Sequence, residues 1–353
     1  MPLRLPLLLA LAVALAGCEP ADPTERGAYV DGRRHGAFEF RRSDGRLAMR
    51  GEFAHGEREG SWEAFAADGS LATRTTWRAG REQGPWSEFH PGGVVAVEGR
   101  YEQGRREGAW IARHPDGTTR LALEFVAGRP HGSYEEHDAA GRILRRGATR
   151  AGLAQGSWTE FHPDGTPRSV GSFADGLQTG AWRQWHPNGR LAVEGGFADD
   201  RRNGPWMEWR EDGSPSSRAT WRAGLLHGPF ESFHPNGARA TACTYVDGQR
   251  QGRFTSQDAQ GVVRIETWYE AGKLHGLMRA WHPNGKLARE TEFANDKAHG
   301  AHRLWTAEGT LGEEGRHESG ERTGAWRIWR ADGTLDEEAS GEYAGGQRTG
   351  ALR

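Results

Sequence analysis

A glycine recurs at a fixed interval of 24 residues through almost the whole chain, and this interval constrains the fold more than any other feature. A repeat of this length is one supersecondary unit that buries its apolar face only by stacking on its neighbours. A second glycine, which in most units closes an Asp-Gly or Asn-Gly step, runs at the same interval from Gly45 to Gly333. Thirteen units therefore follow one another, and the first glycine series is Gly36, Gly60, Gly84, Gly108, Gly132, Gly156, Gly180, Gly204, Gly228, Gly252, Gly276, Gly300 and Gly324.

The composition agrees with an array rather than with one large core. Hydrophobic residues make up 35% of the chain, which is below the usual globular value, while glycine and tryptophan number 52 and 15. The repeat, not a single central core, must therefore hold the chain together.

Each unit has the pattern of a β-hairpin. Between Leu47 and Phe53 the small and apolar residues alternate with polar ones, as in a half-buried strand. The segment "HGEREG" follows, with two glycines that can adopt positive φ, and a second strand begins at Trp62.

Aromatic residues form columns along the repeat. The first column is our candidate binding surface and consists of Trp62, Trp86, Trp110, Trp158, Trp182, Trp206 and Trp326. A second aromatic often stands three residues later, as Phe65 does after Trp62. A spacing of three places the two on opposite faces of a regular strand, or on one face if a bulge intervenes, and the sequence leaves both arrangements open.

These features predict an all-β fold: an elongated, twisted, single-layer antiparallel β-meander of about thirteen 24-residue hairpins, with about 26 strands. The last unit departs from the pattern, because two extra residues lie between Gly333 and Tyr343. A capping or edge-protecting element is expected there.

Histidines precede proline in six of the turns. Proline fixes φ for a type I turn, Asp or Asn accepts the next position, and glycine takes the left-handed one, so turn geometry explains the motif. Other units carry Arg42, Ala66 or Thr306 at this position, which argues against a ligand set. Histidines of a second class precede glycines of the first series, which we call hinge glycines. We assign these histidines turn and surface roles, with a small allowance for adventitious zinc at His275 and His299.

The charges restrict the partners and the chemistry. Lys and Arg number 46 and Asp and Glu 48, so no basic field indicates a nucleic-acid partner. The many Glu and Arg residues favour cross-strand ion pairs over acid–base catalysis, and neither a phosphate-binding loop nor a nucleophile elbow is present. We therefore predict no catalytic residue, no metal and no cofactor, and we interpret Cys243 as a small residue beside the aromatic row.

The N-terminus has the pattern of an export signal. One basic residue, Arg4, precedes an apolar run too short to span a bilayer comfortably. The closing Leu-Ala-Gly-Cys resembles the lipobox of bacterial lipoproteins, which implies lipidation of Cys18. We expect a signal peptide over residues 1–17, a lipidated cysteine and tether over 18–28, and the repeat array over 29–353, anchored to the outer membrane or cell surface rather than the inner membrane.

The repeats resemble a known family. The segments "YEAGKLHGLM", "YVDGRRHGAF" and "FADGLQTGAW" look like MORN repeats, and the longer unit containing "HPNGKLARETEF" resembles the bacterial MORN-variant type found in YwqK-family antitoxins. The resemblance covers nearly all of the chain after residue 28. It implies an array of β-hairpins used for binding or scaffolding, and in some bacterial members a role in neutralising a toxin.

The function expected from these features is non-enzymatic. Our first hypothesis is a lipid-anchored envelope protein whose repeat surface binds or scaffolds a protein partner. The alternatives are an antitoxin or immunity protein, and a binder of glycan or peptidoglycan, because aromatic rows can also support sugar rings. The oligomeric state stays open.

Overall fold

The structure is a computed structural model that describes residues 24–352, and in this range it contains strands and turns but no helix. Residues 1–17 and Cys18, to which we assign the signal peptide and the lipid, lie outside the described residues. The chain divides into two compact units, one up to Gly180 and one from Ala181 onward.

The strands of the first unit follow one another closely. They are β1 Thr24–Val30, β2 Arg33–Arg41, β3 Leu47–Ala54, β4 Glu57–Phe65, β5 Leu71–Arg78, β6 Arg81–Phe89, β7 Val95–Glu102, β8 Arg105–Arg113, β9 Thr119–Val126, β10 Arg129–His137, β11 Ile143–Arg150, β12 Leu153–Phe161 and β13 Pro167–Ala174. Strand β14 spans Leu177–Trp185.

The second unit continues the same pattern. Its strands are β15 Leu191–Ala198, β16 Arg201–Arg202, β17 Gly204–Trp209, β18 Pro215–Arg222, β19 Leu225–Phe233, β20 Arg239–Val246, β21 Gln249–Gln257, β22 Val263–Glu270, β23 Lys273–Leu274, β24 Gly276–Trp281, β25 Leu287–Ala294, β26 Lys297–Trp305, β27 Leu311–Glu318, β28 Glu321–Ile328, β29 Gly341–Ala344 and β30 Gln347–Gly350. The count exceeds the expected 26 partly because single residues, Asn203 and His275, each divide one repeat strand in two.

Pairing follows chain order in both units. In the first, every strand from β1 to β12 pairs antiparallel with its successor. In the second, the same order holds from β15 to β30, with β16 and β23 as short companions of their repeat strands. The predicted antiparallel hairpin meander is therefore confirmed.

Two kinds of turn alternate along the chain, and local sequence explains both. At His55-Gly56 both residues have positive φ, 50° and 88°, which is the type I′ geometry that suits a two-residue hairpin loop. At the other edge, the amide of Gly93 donates to the His90 carbonyl at 3.0 Å, and the amide of His90 donates to the Val94 carbonyl at 2.8 Å. This is the type I turn with a glycine bulge that the His-Pro motif predicts.

The end of the array carries short elements. Strands β29 and β30 have four residues each and form a hairpin beside β28. The two residues added after Gly333 lie in the irregular segment that precedes this hairpin. The predicted edge element is thus a shortened hairpin rather than a separate cap.

Candidate functional site

The first aromatic column is built by a bulge that recurs in the hairpins of both units. Between β3 and β4, Arg50 faces Glu63 and Glu52 faces Glu59, so three residues of β4 oppose Gly51 alone. A Cβ added to Gly51 would lie closer than 3.0 Å to the Trp62 indole, a separation that real Cβ atoms essentially never show. The indole therefore lies against the backbone of the neighbouring strand, at a place where only glycine leaves room.

A hydrogen bond fixes the indole in this position. Trp62 Nε1 donates to the Glu52 carbonyl at 3.0 Å. The same bond, also at 3.0 Å, joins Trp158 to Ala148 and Trp206 to Gly196. Glycines that would clash with tryptophan in the same way are Gly51, Gly99, Gly147, Gly195 and Gly315.

Other side chains cover the indoles. The Phe53 ring meets Trp62 edge-on, with centroids 4.9 Å apart. The Arg58 guanidinium lies over the ring at 4.6 Å and also over Trp77 at 5.0 Å. Such contacts are worth about 0.5–1.5 kcal/mol for an aromatic pair and about 0.5–2 kcal/mol for a cation–π pair.

The column is consequently core, which corrects its interpretation as a binding surface. Six of the seven tryptophans are buried, with exposed fractions of 0–4%, and they are Trp62, Trp110, Trp158, Trp182, Trp206 and Trp326. Trp86, whose neighbour is Thr75 instead of glycine, is partly exposed. A ligand cannot reach the buried indoles in this conformation, because the rings lie flat on the sheet beneath arginine and aromatic side chains.

The second aromatic row lies on the opposite face of the sheet. Phe65 is contacted by Arg50, whose guanidinium is 5.5 Å from the ring and which forms an ion pair with Glu63. Since side chains alternate along a strand, Glu63 and Phe65 share one face and Trp62 lies on the other. The structure thus settles the arrangement that the sequence left open.

The face that carries this second row also carries a ladder of alternating charge. Across six repeat strands the residues in direct register are Glu266, Arg279, Glu290, Arg303, Glu314 and Arg327. Arg279 Nε lies 2.8 Å from Glu290, and Arg327 lies 3.2 Å from Glu314. The predicted cross-strand ion pairing is therefore present, and the carboxylates of this ladder face arginines.

Three tryptophans stand beside this ladder. Trp281, Trp305 and Trp329 each follow an arginine of the ladder by two residues, and all three are partly exposed. Within residues 24–352, none of these three indole N–H groups donates to the protein, and no ring or guanidinium stacks on them. We call the three tryptophans with Arg279, Arg303 and Arg327 the Trp–Arg face.

The turn histidines link neighbouring hairpins. His186 Nε2 lies 2.9 Å from the Trp209 carbonyl, 23 residues along the chain, and His282 Nε2 lies 2.7 Å from the Trp305 carbonyl. Arg42 makes the equivalent bond to the Phe65 carbonyl at 2.5 Å. Histidine and arginine replace each other here because both can donate to the same backbone oxygen, which supports a structural role for the turn histidines.

The residue before the hinge glycine makes a matching link at the other edge. Glu59 accepts from the amide of Ala79 at 2.8 Å, and Gln83 accepts from Gln103 at 2.8 Å. His227 Nδ1 takes the same role for the amide of Asp247 at 3.3 Å. His227 and His299 of the second histidine class thus supply an acceptor to the next turn, a role the sequence alone did not reveal.

One repeat of the second unit replaces the stacked rings by polar groups. Thr291, His302 and His317 stand where other repeats have glycine, tryptophan and phenylalanine. His302 is 6% exposed, and Thr291 Oγ1 lies 2.8 Å from its Nδ1. Burial, with added repulsion from His317, Arg289 and Arg322, lowers the pKa of His302 to about 4. The sequence signal for this cluster was the lapse of the aromatic pattern at His317.

Cys243 is a buried free thiol at a glycine position, and burial raises its pKa, in agreement with a packing role. Among residues 24–352 no group of three or more His, Cys, Asp or Glu could hold a metal ion, and no helix there is long and apolar enough to cross a membrane.

Comparisons with known proteins match one segment of the array to a family. Residues 274–295 match the family model described as MORN repeat variant. Among solved structures, "Crystal Structure of TcdB2-TccC3-Cdc42" is 10% identical over 89% of this chain and 19% of that chain, with a TM-score of 0.16. "Crystal Structure of TcdB2-TccC3" is 11% identical over 88% and 22%, with a TM-score of 0.18. The chain spans about a fifth of the length of these structures, and no curated protein matches it.

The matched segment contains the elements that define one unit of the array. It includes the hinge glycine Gly276, Trp281 of the second aromatic row, the turn at Gly285 and the aromatic Phe293 on β25. Equivalent turns and pairings recur every 24 residues in both units. One segment of the chain, residues 274–295, therefore matches the MORN repeat variant, and the other repeats share its strand and turn pattern.

Proposed function

We propose that this protein is a non-enzymatic scaffold of the cell envelope, held at a membrane by a lipid on Cys18, that binds a protein partner through its Trp–Arg face. We infer the binding site from the partial exposure of Trp281, Trp305 and Trp329. The same chain buries six of the seven tryptophans of its first column. Tryptophan and arginine are the residues most enriched at the energetic centres of protein interfaces.

The geometry of the face favours an extended contact. Equivalent residues of adjacent hairpins are two strands apart, about 9.6 Å, so three tryptophans form a row about 19 Å long. Each ladder arginine stands beside a glutamate in register, for example Arg303 beside Glu314. Because the three arginines and three glutamates of the ladder balance, the face has no net positive field that would favour nucleic acid.

Two further observations support a binding role rather than catalysis. The MORN repeat family is generally non-enzymatic. The ladder carboxylates Glu290 and Glu314 are in ion pairs with Arg279 and Arg327, so that arginine side chains occupy their oxygens. A rigid array with donors, acceptors and aromatic rings at a fixed spacing is suited to recognition.

The membrane anchor is tested by labelling. We expect cells that express the protein to incorporate labelled palmitate into it, and Cys18→Ser to abolish the labelling, because the lipidated cysteine becomes the new N-terminus. A Cys18→Ser variant that still incorporates palmitate would disprove the anchor and leave the Trp–Arg face untouched.

The binding site is tested by photo-crosslinking in intact cells. A photoreactive phenylalanine derivative replaces Trp305, and the matched control carries it at Trp209, which has the same place in its hairpin but is separated from the face by Phe233 and Gln257. We expect one discrete protein adduct from position 305, reduced by Arg303→Glu, and none from position 209.

The identity of the adduct separates the alternatives. A toxin in the adduct would assign the scaffold to an immunity role. A glycan adduct, or equal crosslinking from positions 305 and 209, would contradict a protein site at the Trp–Arg face.

A further inference from the structure

The polar cluster of the second unit lies within the ring-stacked row and replaces all three of its components. Thr291 on β25 takes the place of the glycine, His302 on β26 the place of the tryptophan, and His317 on β27 the place of the next ring. The rings still meet edge-on, with 5.1 Å between the centroids of the two histidines and 4.9 Å between His317 and Trp326. We call Thr291, His302 and His317 the histidine joint.

Hydrogen-bond polarity favours a neutral His302. Arg289 Nε donates to Thr291 Oγ1 at 2.8 Å, so the threonine hydroxyl is free to give its own proton to His302 Nδ1, which lies 2.8 Å away. Nδ1 is then an acceptor and carries no proton. Protonation of Nδ1 would leave the Thr291 hydroxyl proton without its acceptor.

The charged neighbours oppose protonation as well. Those facing His302 are Arg289 on β25, Glu313 and His317 on β27, and Arg322 on β28. Glu313 is the one anion among them, but it lies 4.0 Å from His302 Nε2 and is bound at 2.6 Å by Arg322. A proton on His302 therefore enters a buried site whose nearest carboxylate is already neutralised.

The histidine joint lies directly behind the Trp–Arg face. Strand β26 presents His302 on one side and Arg303 and Trp305 on the other, and β28 presents Trp326 on the first side and Arg327 on the second. The spacing of Trp281, Trp305 and Trp329 depends on β24 to β28 remaining paired. Loss of packing at the joint would therefore separate the tryptophans of the face.

We propose that the histidine joint is an acid-sensitive hinge, which opens locally between β25 and β28 when His302 is protonated and so disperses the Trp–Arg face. The release of a bound partner in acid rests on the proposed function, whereas the opening itself does not. Repeat arrays can open in this way because each hairpin is held mainly by its neighbours.

The direction of the effect follows from linkage. The folded pKa of His302, about 4, is below the ordinary value of 6.5, so the opened state binds the proton more tightly. Stability of the joint is complete above pH 6.5 and decreases as the pH falls toward 4. At pH 5 the opening equilibrium should increase on the order of tenfold relative to pH 7.5 from His302 alone.

Hydrogen–deuterium exchange of the full chain measures the opening without any partner. After correction for intrinsic exchange, we expect amide protection in β25 to β28 to fall on the order of tenfold between pH 7.5 and 5. Strands β11 to β13, where Gly147, Trp158 and Phe173 hold the same positions, serve as the internal control and should keep their protection.

Two variants assign the effect to the joint. A triple variant reproduces the residues of the control repeat by combining Thr291→Gly, His302→Trp and His317→Phe. Amide protection in this variant should be independent of pH. His302→Gln keeps a polar group that cannot titrate in this range and serves if the triple variant does not fold. Protection in β25 to β28 that does not change with pH in the wild type, or that falls equally in either folded variant, would overturn the proposal.

Binding is then measured separately from opening. Trp305 crosslinking at pH 7.5 and pH 5 should decrease in acid in the wild type and persist in His302→Gln. If exchange shows opening but no partner crosslinks at either pH, the hinge stands and the proposed partner site fails. If a partner crosslinks equally at both pH values, the site stands and its control by acid is refuted.

Discussion

Gly51 and Trp62 occupy one site on neighbouring strands: the space that a Cβ of Gly51 would need is filled by the indole of Trp62. This relationship explains how a layer of sheet buries its tryptophans, since the ring lies on the backbone instead of standing upright. It also explains a correlation within the chain. Where the glycine is replaced by Leu123, Ala219, Cys243, Thr267 or Thr291, the partner is not tryptophan but Tyr134, Phe230, Phe254, Met278 or His302. Thr75 is the exception, because its partner is still a tryptophan, the partly exposed Trp86.

The first prediction concerns this close approach. Gly51→Ala should destabilise the protein by about 1–3 kcal/mol, because the added methyl group displaces a buried indole together with its hydrogen bond to Glu52. Urea unfolding followed by tryptophan fluorescence measures the change. Gly312→Ala is the matched control, since its Cβ would meet nothing closer than 3.8 Å, and it should be close to neutral. Equal effects of the two substitutions would refute the steric account.

A second prediction converts one repeat into the glycine–tryptophan type. Phe254→Trp alone should cost about 1–3 kcal/mol, since the Cys243 side chain occupies the place of the indole. Cys243→Gly alone should also destabilise the repeat, because it removes a buried side chain. The double variant should recover at least about 1 kcal/mol relative to the sum, measured as a double-mutant cycle in urea. Additive effects would show that the two positions are independent.

A third prediction concerns the link between turns. His186→Ala should lower the free energy of unfolding by about 1 kcal/mol, because it removes the donor to the Trp209 carbonyl. His186→Arg should retain most of the stability, as Arg42 and Arg210 make the same bond in their own repeats. Thermal unfolding of the two variants compares them. If the arginine variant is as unstable as the alanine variant, histidine has a role beyond donation.

A fourth prediction concerns Glu82, which stands where other repeats have an arginine over the rings. Burial raises the pKa of Glu82 above its ordinary 4.5, although Arg106 and Arg58 oppose the change. Since the folded state then binds the proton more tightly, this group's contribution to stability is present at low pH and is lost as the pH rises through the folded pKa.

Glu82→Gln should therefore stabilise the protein more at pH 7 than at pH 4, by less than about 1 kcal/mol because the side chain is partly solvated. Urea midpoints at the two pH values provide the measurement. The control is Glu102→Gln on an exposed position. A larger gain at pH 4 than at pH 7 would contradict the sign.

Several features of the candidate site could not be obtained from the repeat pattern. The pattern identified the tryptophan column, but the interpretation of Trp62 and its equivalents as a binding surface was wrong, because alternation along a strand does not say whether a ring stands up or lies flat. In the sequence, the Trp–Arg face is marked only by an aromatic residue three positions after each position of the first column. The roles of His186 and His227 depend on carbonyl and amide groups 23 and 20 residues away, which no local motif specifies.

The sequence by itself determined the 24-residue period, the alternation of strands and both turn types. These are local properties, set by which residues tolerate positive φ, by proline before Asn-Gly, and by the side-chain period of two. The tertiary structure alone decided which aromatic row is core and which is exposed. That choice depends on the bulge that sets three residues of one strand against Gly51 of the next, and the register of a bulge exists only once the two strands are paired.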